Sequence, residues 1–425
     1  MSKETCAQNQ FLRISRRSAM LAVPPAFLRS QSPNSEVRIG HIGAGVRGGD
    51  LVKNVVASKG ARVTAICDVY KPHVEKGVEY SLNPQAKRYV DYQDLLADAN
   101  VDAVVIATPD HWHARMLIDA VEAGKDVYCE KGWTVSVRDA KAMRAAVRRT
   151  RRIMQLGHQG RQYAAAIQAR EIIERGEVGP VALVRTGRAM NRPEQTPIWR
   201  WYGWYTSYKR PDPAQVLRDL DWNRWLGDAP KTSFTMEHFW HWRCYWNYGT
   251  GLYGDLLSHE MDYVQSVLRH GIPDTCISTG HNNLLKDGRE VPDTSNTIYQ
   301  WESIGRTATF FSDMNSSLGQ PPEIRGKHAA IRFNAIGQDA KDFEMIGDRA
   351  AGKYDAGVIR RFDPSATPDQ PTHMQDFINC VRERRRPKCD EDEAFIESVT
   401  LIMGVESFRR GGAMVRWDRE KEEIA

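Results

Sequence analysis

Two short segments, far apart in the chain, carry side chains suited to acid–base chemistry. Lys131 follows a predicted strand, where its ammonium can hydrogen-bond a hydroxyl and stabilise an alkoxide as hydride leaves. Asp255 and His259 are spaced i, i+4 on a predicted helix, so they share one face. A histidine there is suited to accept a hydroxyl proton, and the carboxylate can orient its ring. The alternatives are a surface lysine beside Glu130 and a helix-start acid with an unrelated histidine.

A glycine-rich turn, Gly43-Ala44-Gly45-Val46-Arg47-Gly48, stands between a predicted strand and a predicted helix. Gly43 allows a tight turn, Gly45 admits a pyrophosphate to the backbone, and Gly48 lets helix and strand approach closely. The amino end of the helix would bind the pyrophosphate through its free N–H groups. Asp68, 20 positions after Gly48, would bind an adenosine ribose and disfavour a 2′-phosphate. We therefore expect bound NAD rather than NADP, and the alternative is a turn without a ligand.

Strand and helix signals alternate through residues 37–156, as in a parallel doubly wound sheet, with one helix expected over 114–123. Residues 273–350 alternate apolar and polar positions, as antiparallel strands do, and a helix is expected over 395–408. We predict an α/β protein with an N-terminal Rossmann parallel sheet and a C-terminal α/β domain with a mostly antiparallel open sheet. The expected boundaries are 1–35 for a signal or disordered segment, 36–157 for the NAD-binding domain, and 158–425 for a substrate-binding and oligomerisation domain.

Ligands of doubly wound sheets bind at the carboxyl ends of the strands, and three predicted loops there carry polar side chains. These loops are residues 108–113, 130–132 and 157–161. We expect the cofactor to contact the glycine turn, Asp68 and the first two loops, through Gly43, Gly45, Val46, Arg47, Gly48, Asp68, Thr108, Pro109, Asp110, His113, Glu130 and Lys131. The third loop holds His158 and Arg161, which are candidates to line a substrate cleft; the alternative is a solvated loop.

Tryptophans are concentrated between residues 199 and 246, which hold eight of the twelve in the chain. Trp222 and Trp225 have the i, i+3 spacing of packed helix residues, whereas the later tryptophans are flanked by polar or charged side chains. Aromatic faces suit the C–H faces of sugar rings, so we expect a carbohydrate ligand. The substrate-binding candidates are His158, Arg161, Trp242 and Tyr248.

The overall composition points to neither nucleic acid nor a metal framework. A net charge of +5 over 425 residues is small, and the basic runs close predicted helices, where cations suit the helix dipole. Seven cysteines without paired CxxC spacing indicate neither disulfides nor zinc. Two histidine pairs, at 111 and 113 and at 238 and 241, have ligand-like spacing but no third ligand, so no metal is expected.

The first 35 residues resemble a targeting segment. Arg16 and Arg17 precede an apolar stretch, Ala19 to Leu28, that is too short to span a membrane. A twin arginine in this position is typical of Tat export, so we expect a periplasmic protein. The alternative is a disordered tail on a cytoplasmic protein. No other stretch is long and apolar enough to span a bilayer.

Together these motifs resemble the glucose–fructose oxidoreductase/inositol dehydrogenase/MocA (Gfo/Idh/MocA) family over roughly residues 36–420. The resemblance rests on the glycine turn, Asp68, the Thr108-Pro109-Asp110…His113 loop, Glu130-Lys131, and Gly251…Asp255…His259…Asp262. It implies NAD(P)-dependent chemistry at a secondary alcohol of a sugar or cyclitol. It also implies Lys131 and His259 as the catalytic pair with Asp255 in support, and a homodimer or homotetramer. Gly132 departs from the family's usual Glu-Lys-Pro, so we expect either another loop conformation or a different nicotinamide pocket.

The primary interpretation is an NAD-dependent sugar oxidoreductase. The runner-up is a redox-neutral glycosidase, in which bound NAD transiently oxidises C3, the C2 proton becomes acidic, the aglycone is eliminated, water adds and the hydride returns. A resident cofactor of this kind would suit an exported enzyme, which meets no pool of free NAD. From a different class, a non-catalytic sugar- or NAD-binding protein is the third alternative, against which Lys131, Asp255 and His259 argue.

Overall fold

The computed structural model describes residues 36–190, 212–335 and 340–425. The first part of the chain forms a parallel six-stranded sheet in the order β3-β2-β1-β4-β5-β6. Its strands are β1 Val37–Ile42, β2 Ala61–Cys67, β3 Lys87–Tyr89, β4 Ala103–Ile106, β5 Asp126–Cys129 and β6 Met154–Leu156. The connecting helices are Val46–Val56, Lys71–Tyr80, Tyr92–Ala97, Asp110–Glu122 and Val137–Thr150. The doubly wound parallel sheet expected from the sequence is confirmed.

The later part of the chain forms a ten-stranded mixed sheet within the described residues, in the order β14-β13-β12-β11-β7-β10-β9-β8-β15-β16. Neighbouring strands are antiparallel except for β7 and β10, which run parallel. The strands are β7 Val181–Ala189, β8 Thr275–His281, β9 Thr294–Trp301, β10 Arg306–Asp313, β11 Glu323–Gly326, β12 Ala329–Phe333, β13 Phe343–Gly347, β14 Gly357–Arg361, β15 Val415–Asp418 and β16 Glu423–Ile424. This confirms the predicted mostly antiparallel sheet.

The helices of the later part pack against this sheet, against the parallel sheet and against one another. They are Ala164–Glu174, Pro213–Asp219, Trp222–Leu226, Met236–Trp240, Ser258–Leu268 with a preceding π-helical turn at Tyr253–Leu257, His373–Glu383 and Glu391–Arg409. Helix Glu391–Arg409 contacts both helix Val137–Thr150 and strand β8, and its Val399 and Met403 are fully buried. The two sheets therefore share one continuous hydrophobic core.

Two helices begin four residues earlier than their apolar periodicity predicts. One begins at Asp110 rather than at 114, because Pro109 occupies the N-cap position and the Asp110 carboxyl lies at the positive end of the helix dipole. The other begins at Glu391 rather than at 395. There the Asp390 side chain accepts hydrogen bonds from two backbone N–H groups, and three acidic residues follow in the first turn. A proline marks the first start and a capping carboxylate the second, and neither feature contributes to apolar periodicity.

Among the helices that the structure describes, none combines the length and the apolar character that crossing a bilayer requires. The expected export segment, 1–35, lies outside the described residues.

Candidate active site

The glycine turn between β1 and helix Val46–Val56 has little room for side chains. Gly43 has a φ of +85°, and a Cβ there would lie 2.7 Å from the carbonyl oxygen of Ala107. A Cβ at Gly48 would lie 1.9 Å from the carbonyl oxygen of Gly43. Gly45 is different, since a Cβ there would meet only the His73 ring, at 3.5 Å. Gly43 and Gly48 are thus required by the fold, whereas the open side of Gly45 faces the cleft.

The residues around this turn fit a dinucleotide. Among the described residues, no side chain caps the amino end of helix Val46–Val56, so its first-turn N–H groups are available to a pyrophosphate. Asp68 Oδ2 accepts a hydrogen bond from the Ala44 backbone N–H at 2.7 Å and lies 3.2 Å from His73 Nδ1. Burial raises the pKa of Asp68, but His73 and the N–H donors of Tyr70 and Ala44 outweigh it and lower the pKa overall. An ionised carboxylate here suits ribose hydroxyls and repels a 2′-phosphate.

Lys131 and Asp255 form a buried ion pair across the two parts of the chain. Lys131 Nζ donates hydrogen bonds to Asp255 Oδ1 and to the Asp255 backbone carbonyl, both at 2.7 Å. Arg243 Nε lies 3.3 Å from the same Oδ1 atom. The side chains of Lys131 and Asp255 are 8% and 2% exposed, so this geometry is shielded from solvent. His259, one helical turn beyond Asp255, lines the same cleft.

The loop that carries Lys131 is fixed on both sides. Glu130 pairs with Arg47 of the glycine turn at 3.0 Å. The ring nitrogens of His113 contact the carbonyl oxygens of Gly132 at 2.8 Å and Thr108 at 2.9 Å, which ties the two predicted cofactor loops together. The Lys131–Gly132 peptide bond is cis. A Cβ at position 132 would lie 3.2 Å from the Gly254 Cα atom, so close packing against the second part of the chain favours glycine here.

Asp110 places a second carboxyl beside the ion pair. Burial raises its pKa to about 7, and Asp255 adds to the increase, while Arg243, Lys131 and the Thr250 backbone N–H oppose it. The side chain is buried, and Asp110 begins the helix at the end of β4. A carboxyl that titrates near neutral pH is unusual, and such groups concentrate at functional sites.

A single cleft of about 520 Å³ connects the glycine turn to the Lys131–Asp255 pair. Its volume lies within the usual range for small-molecule sites. One wall comes from the parallel sheet and contains Gly43, Gly45, Val46, Arg47, Asp68, Thr108, Pro109, Glu130 and Lys131. The opposite wall comes from the later part of the chain and contains Trp225, Phe239, Trp240, Trp242, Arg243, Asp255 and His259. Nine of the twelve cofactor candidates therefore share one space with the proposed catalytic side chains, whereas Gly48, Asp110 and His113 are not part of its lining.

Three of the substrate-binding candidates lie outside the lining of this cleft. His158 is 1% exposed and its Nε2 atom lies 2.7 Å from Glu397 Oε2, while Arg161 Nε donates to Asp262 at 2.7 Å. Tyr248 is fully buried and packs edge-on against Trp225, with ring centroids 4.8 Å apart. Trp242 is the one candidate of the four that lines the cleft. Trp199, Trp201 and Trp204 lie outside the described residues.

Sequence reasoning missed two residues of the site. Arg243 stacks over the Trp242 ring, 4.0 Å from its centroid, and reaches Asp255. His73 contacts Asp68 from the following helix. No sequence motif marks either residue, although a charged side chain between tryptophans was a usable signal for Arg243.

Comparison with known proteins agrees with this architecture. A family model described as "Oxidoreductase family, NAD-binding Rossmann fold" matches residues 37–158, and one described as "Oxidoreductase family, C-terminal alpha/beta domain" matches residues 221–415. Inositol 2-dehydrogenase 1 of Saccharopolyspora erythraea is 31% identical over 196 residues, 45% of this chain and 54% of that protein. The chain thus spans about half the length of the curated relatives that it matches at this level.

Two further similarities extend the comparison. A Glycosyl hydrolase family 109 protein of Solibacter usitatus is 39% identical over 110 residues, which are 24% of this chain and 25% of that protein. Levoglucosan dehydrogenase, solved in complex with NADH and levoglucosan, has the same fold, with a TM-score of 0.68 at 18% identity over 90% of this chain and 99% of that one. Since the two family models match most of the chain, it belongs to the Gfo/Idh/MocA oxidoreductase family, with an N-terminal Rossmann fold that binds NAD.

Proposed function

We propose that this protein transfers a hydride between NAD and a secondary alcohol of a sugar, cyclitol or sugar derivative. One observation carries the proposal: the buried Lys131–Asp255 pair and His259 line the same cleft as the glycine turn and Asp68. The names of the relatives, an inositol 2-dehydrogenase and a levoglucosan dehydrogenase, support a polyol substrate.

The geometry supports a separate role for each of the three side chains Lys131, His259 and Asp255. When bound, NAD supplies the hydride acceptor. Lys131 donates a hydrogen bond to the substrate hydroxyl oxygen and stabilises the negative charge that develops there. A ring nitrogen of His259 accepts the hydroxyl proton, so the alcohol loses one hydride and one proton and becomes a carbonyl. Asp255 holds the Lys131 ammonium in position through two contacts of 2.7 Å, one to its carboxylate and one to its backbone carbonyl.

The cleft wall opposite the parallel sheet supports recognition of a sugar-like ring. Trp240 provides an apolar face for ring C–H groups, and Arg243, stacked over the Trp242 ring, provides guanidinium donors for hydroxyl oxygens. This combination of flat apolar surface and fixed donors fits a polyhydroxylated substrate better than an apolar one.

The test uses protein purified without added cofactor, supplied with NAD and a panel of polyols and sugars. We expect the reduced-nicotinamide absorbance band to grow with at least one compound. Lys131→Met should lower kcat by at least ~100-fold while retaining NAD binding, because the lost ammonium acts on the developing alkoxide. Lys76→Met is the matched control, since Lys76 is an exposed lysine that pairs with Glu79 and does not line the cleft. Equal rates for Lys131→Met and wild type would refute the proposed role.

A second candidate is a redox-neutral glycosidase that keeps its NAD between turnovers. The supporting observation is an aromatic segment, residues 212–248, that covers the cofactor cleft and is fastened to the parallel sheet. Asp221 N–H donates to the Val69 carbonyl at 2.9 Å, and Trp112 Nε1 donates to the Trp225 carbonyl at 2.8 Å. A covered cleft favours slow cofactor exchange, and one partial relative is named a glycosyl hydrolase. Aglycone release from aryl glycosides without net NADH, by protein that already holds NAD, would favour this candidate over the dehydrogenase.

Assembly and location belong to the same proposal. The face of the second sheet that carries Asn296, Ile298 and Gln300 of β9 is exposed in the single chain. Pairing of such faces supports a homodimer or homotetramer, to be measured by light scattering coupled to size-exclusion chromatography.

Arg16 and Arg17 support Tat export to the periplasm. Their replacement by Lys should retain the protein in the cytoplasm in a fractionation experiment, whereas unchanged periplasmic recovery would contradict export by this route.

A further inference from the structure

A buried ion pair lies directly behind His259, on the side away from the cleft. His158 Nε2 is 2.7 Å from Glu397 Oε2, and both side chains are inaccessible to solvent, with exposures of 1% and 0%. The His158 ring meets the His259 ring edge to face, with centroids 5.4 Å apart and planes at 86°. Neither His158 nor Glu397 lines the cleft. The pair therefore touches the proposed base without touching the substrate space.

The charges around His158 favour its cationic form. Burial lowers the pKa of His158, but the carboxylates of Glu397 and Asp262 outweigh it and raise the pKa overall. The titratable or charged groups around the pair are Arg161, Asp262, His373, Cys389 and Glu393. Arg161 already binds Asp262 at 2.7 Å and Glu393 at 2.9 Å, so the carboxylate left for His158 is Glu397.

We propose that His158 and Glu397 form a positioning pair that holds a positive charge against His259 and so keeps this imidazole neutral and able to accept a proton. The inference rests on the proposed function, in which His259 is the base. A cation about 5 Å away disfavours a second positive charge on the neighbouring ring, and the effect is strong where water is excluded. Loss of that cation would raise the pKa of His259, so a larger fraction of the imidazole would be protonated near neutral pH and could not act as a base.

A bound metal ion is the alternative that the geometry raises. Donor atoms of His158, Asp262 and Glu397 lie within 4.8 Å of one another, a spacing compatible with one ion. The observations favour the ion pair, because His158 and Glu397 are already in direct contact and Arg161 already donates a hydrogen bond to the Asp262 carboxylate. Metal content is therefore measured alongside the test.

The experiment measures the ionisation of His259 directly, so its outcome does not depend on finding the substrate. The imidazoles of the full-length protein are labelled with carbon-13 and titrated by NMR, and the His259 signal is assigned by its loss in His259→Gln. In His158→Gln and in Glu397→Gln, we expect the pKa of His259 to rise by about one unit, an effect of the size that a nearby charge produces. The double variant should give the same rise as either single variant, because all three lose the positive charge at residue 158: His158→Gln directly, and Glu397→Gln by removing the carboxylate that keeps His158 protonated.

Glu393→Gln is the matched control, since Glu393 lies on the same helix as Glu397 but binds Arg161. A His259 titration that is unchanged in both single variants would overturn the inference, and so would one stoichiometric metal ion that both variants lose. Where a substrate has been found, the pH at which kcat/KM falls on the acid side should rise in both variants by as much as the pKa of His259 measured by NMR. Full activity should be recovered at higher pH. If His259→Gln retained full activity, the proposed function would fail, whatever the NMR titration showed.

Discussion

The Asp110 carboxyl provides a sharp physical test of the site, because its pKa of about 7 lies far above the ordinary aspartate value of 3.8. A folded-state pKa above the unfolded one means that the native state binds more protons between these values. The protonated carboxyl thus stabilises the fold fully below about pH 4, and this contribution is lost as the pH rises through about 7. At 1.36 kcal/mol per pKa unit, the pH-dependent contribution is of order 4 kcal/mol.

Asp110→Asn removes the titration and keeps the shape of the side chain. Relative to wild type, the free energy of unfolding of the variant should therefore increase by about 4 kcal/mol between roughly pH 4 and pH 8. Urea denaturation followed by tryptophan fluorescence across this range measures the difference. Asp228→Asn is the matched control, since Asp228 is exposed on the surface and pairs with Arg115. Parallel pH profiles for Asp110→Asn and wild type would refute the claim that a buried carboxyl with a raised pKa lies beside Lys131.

Three further predictions follow from the geometry of the site. Gly45→Ala should fold normally but bind NAD at least ~10-fold more weakly, whereas Gly48→Ala should be unstable, because its Cβ would lie 1.9 Å from a carbonyl oxygen. Thermal melting measures the stability and calorimetric titration measures NAD binding, and equal behaviour of the two variants would contradict these separate roles of Gly45 and Gly48. Asp68→Ser should weaken NAD binding and raise the ratio of NADP to NAD affinity by ~10-fold or more, because the anionic repulsion of a 2′-phosphate is removed; an unchanged ratio would exclude Asp68 from the ribose site. Lys131→Met should lower the free energy of unfolding by less than the roughly 3–5 kcal/mol typical of a broken buried ion pair, because Arg243 still faces Asp255. A larger loss, measured by urea denaturation, would show that Arg243 does not compensate for the missing ammonium.

Local patterns predicted the β1–turn–helix–β2 unit of the NAD-binding fold. The β1–turn–helix–β2 unit follows from a β-branched run, three spaced glycines and the acidic residue at the end of β2, all within some thirty residues. Each of these signals reports a backbone requirement, and the structure explains Gly43 and Gly48 by contacts shorter than 3 Å to carbonyl oxygens.

The substrate half could not be predicted to the same depth, because its contacts join distant parts of the chain. His158 follows β6, where a doubly wound sheet would expose a ligand-binding side chain, yet it turns inward to Glu397, 239 residues later. Arg161 likewise meets Asp262, 101 residues away. Arg243 reaches Asp255 from a short loop among tryptophans. Such pairings depend on how the two sheets dock, and no spacing in the sequence encodes that arrangement.

The most direct test of the account follows the reduced-nicotinamide band in a rapid-mixing experiment. Protein loaded with NAD is mixed with each polyol of the panel, for wild type, Lys131→Met and His259→Gln. We predict that the band appears within a single turnover in wild type, transiently if the cofactor is reoxidised in place, and that both variants form it at least ~100-fold more slowly. A band that forms equally fast in the variants, or that no polyol or glycoside elicits in wild type, would contradict hydride transfer at the Lys131–Asp255–His259 site.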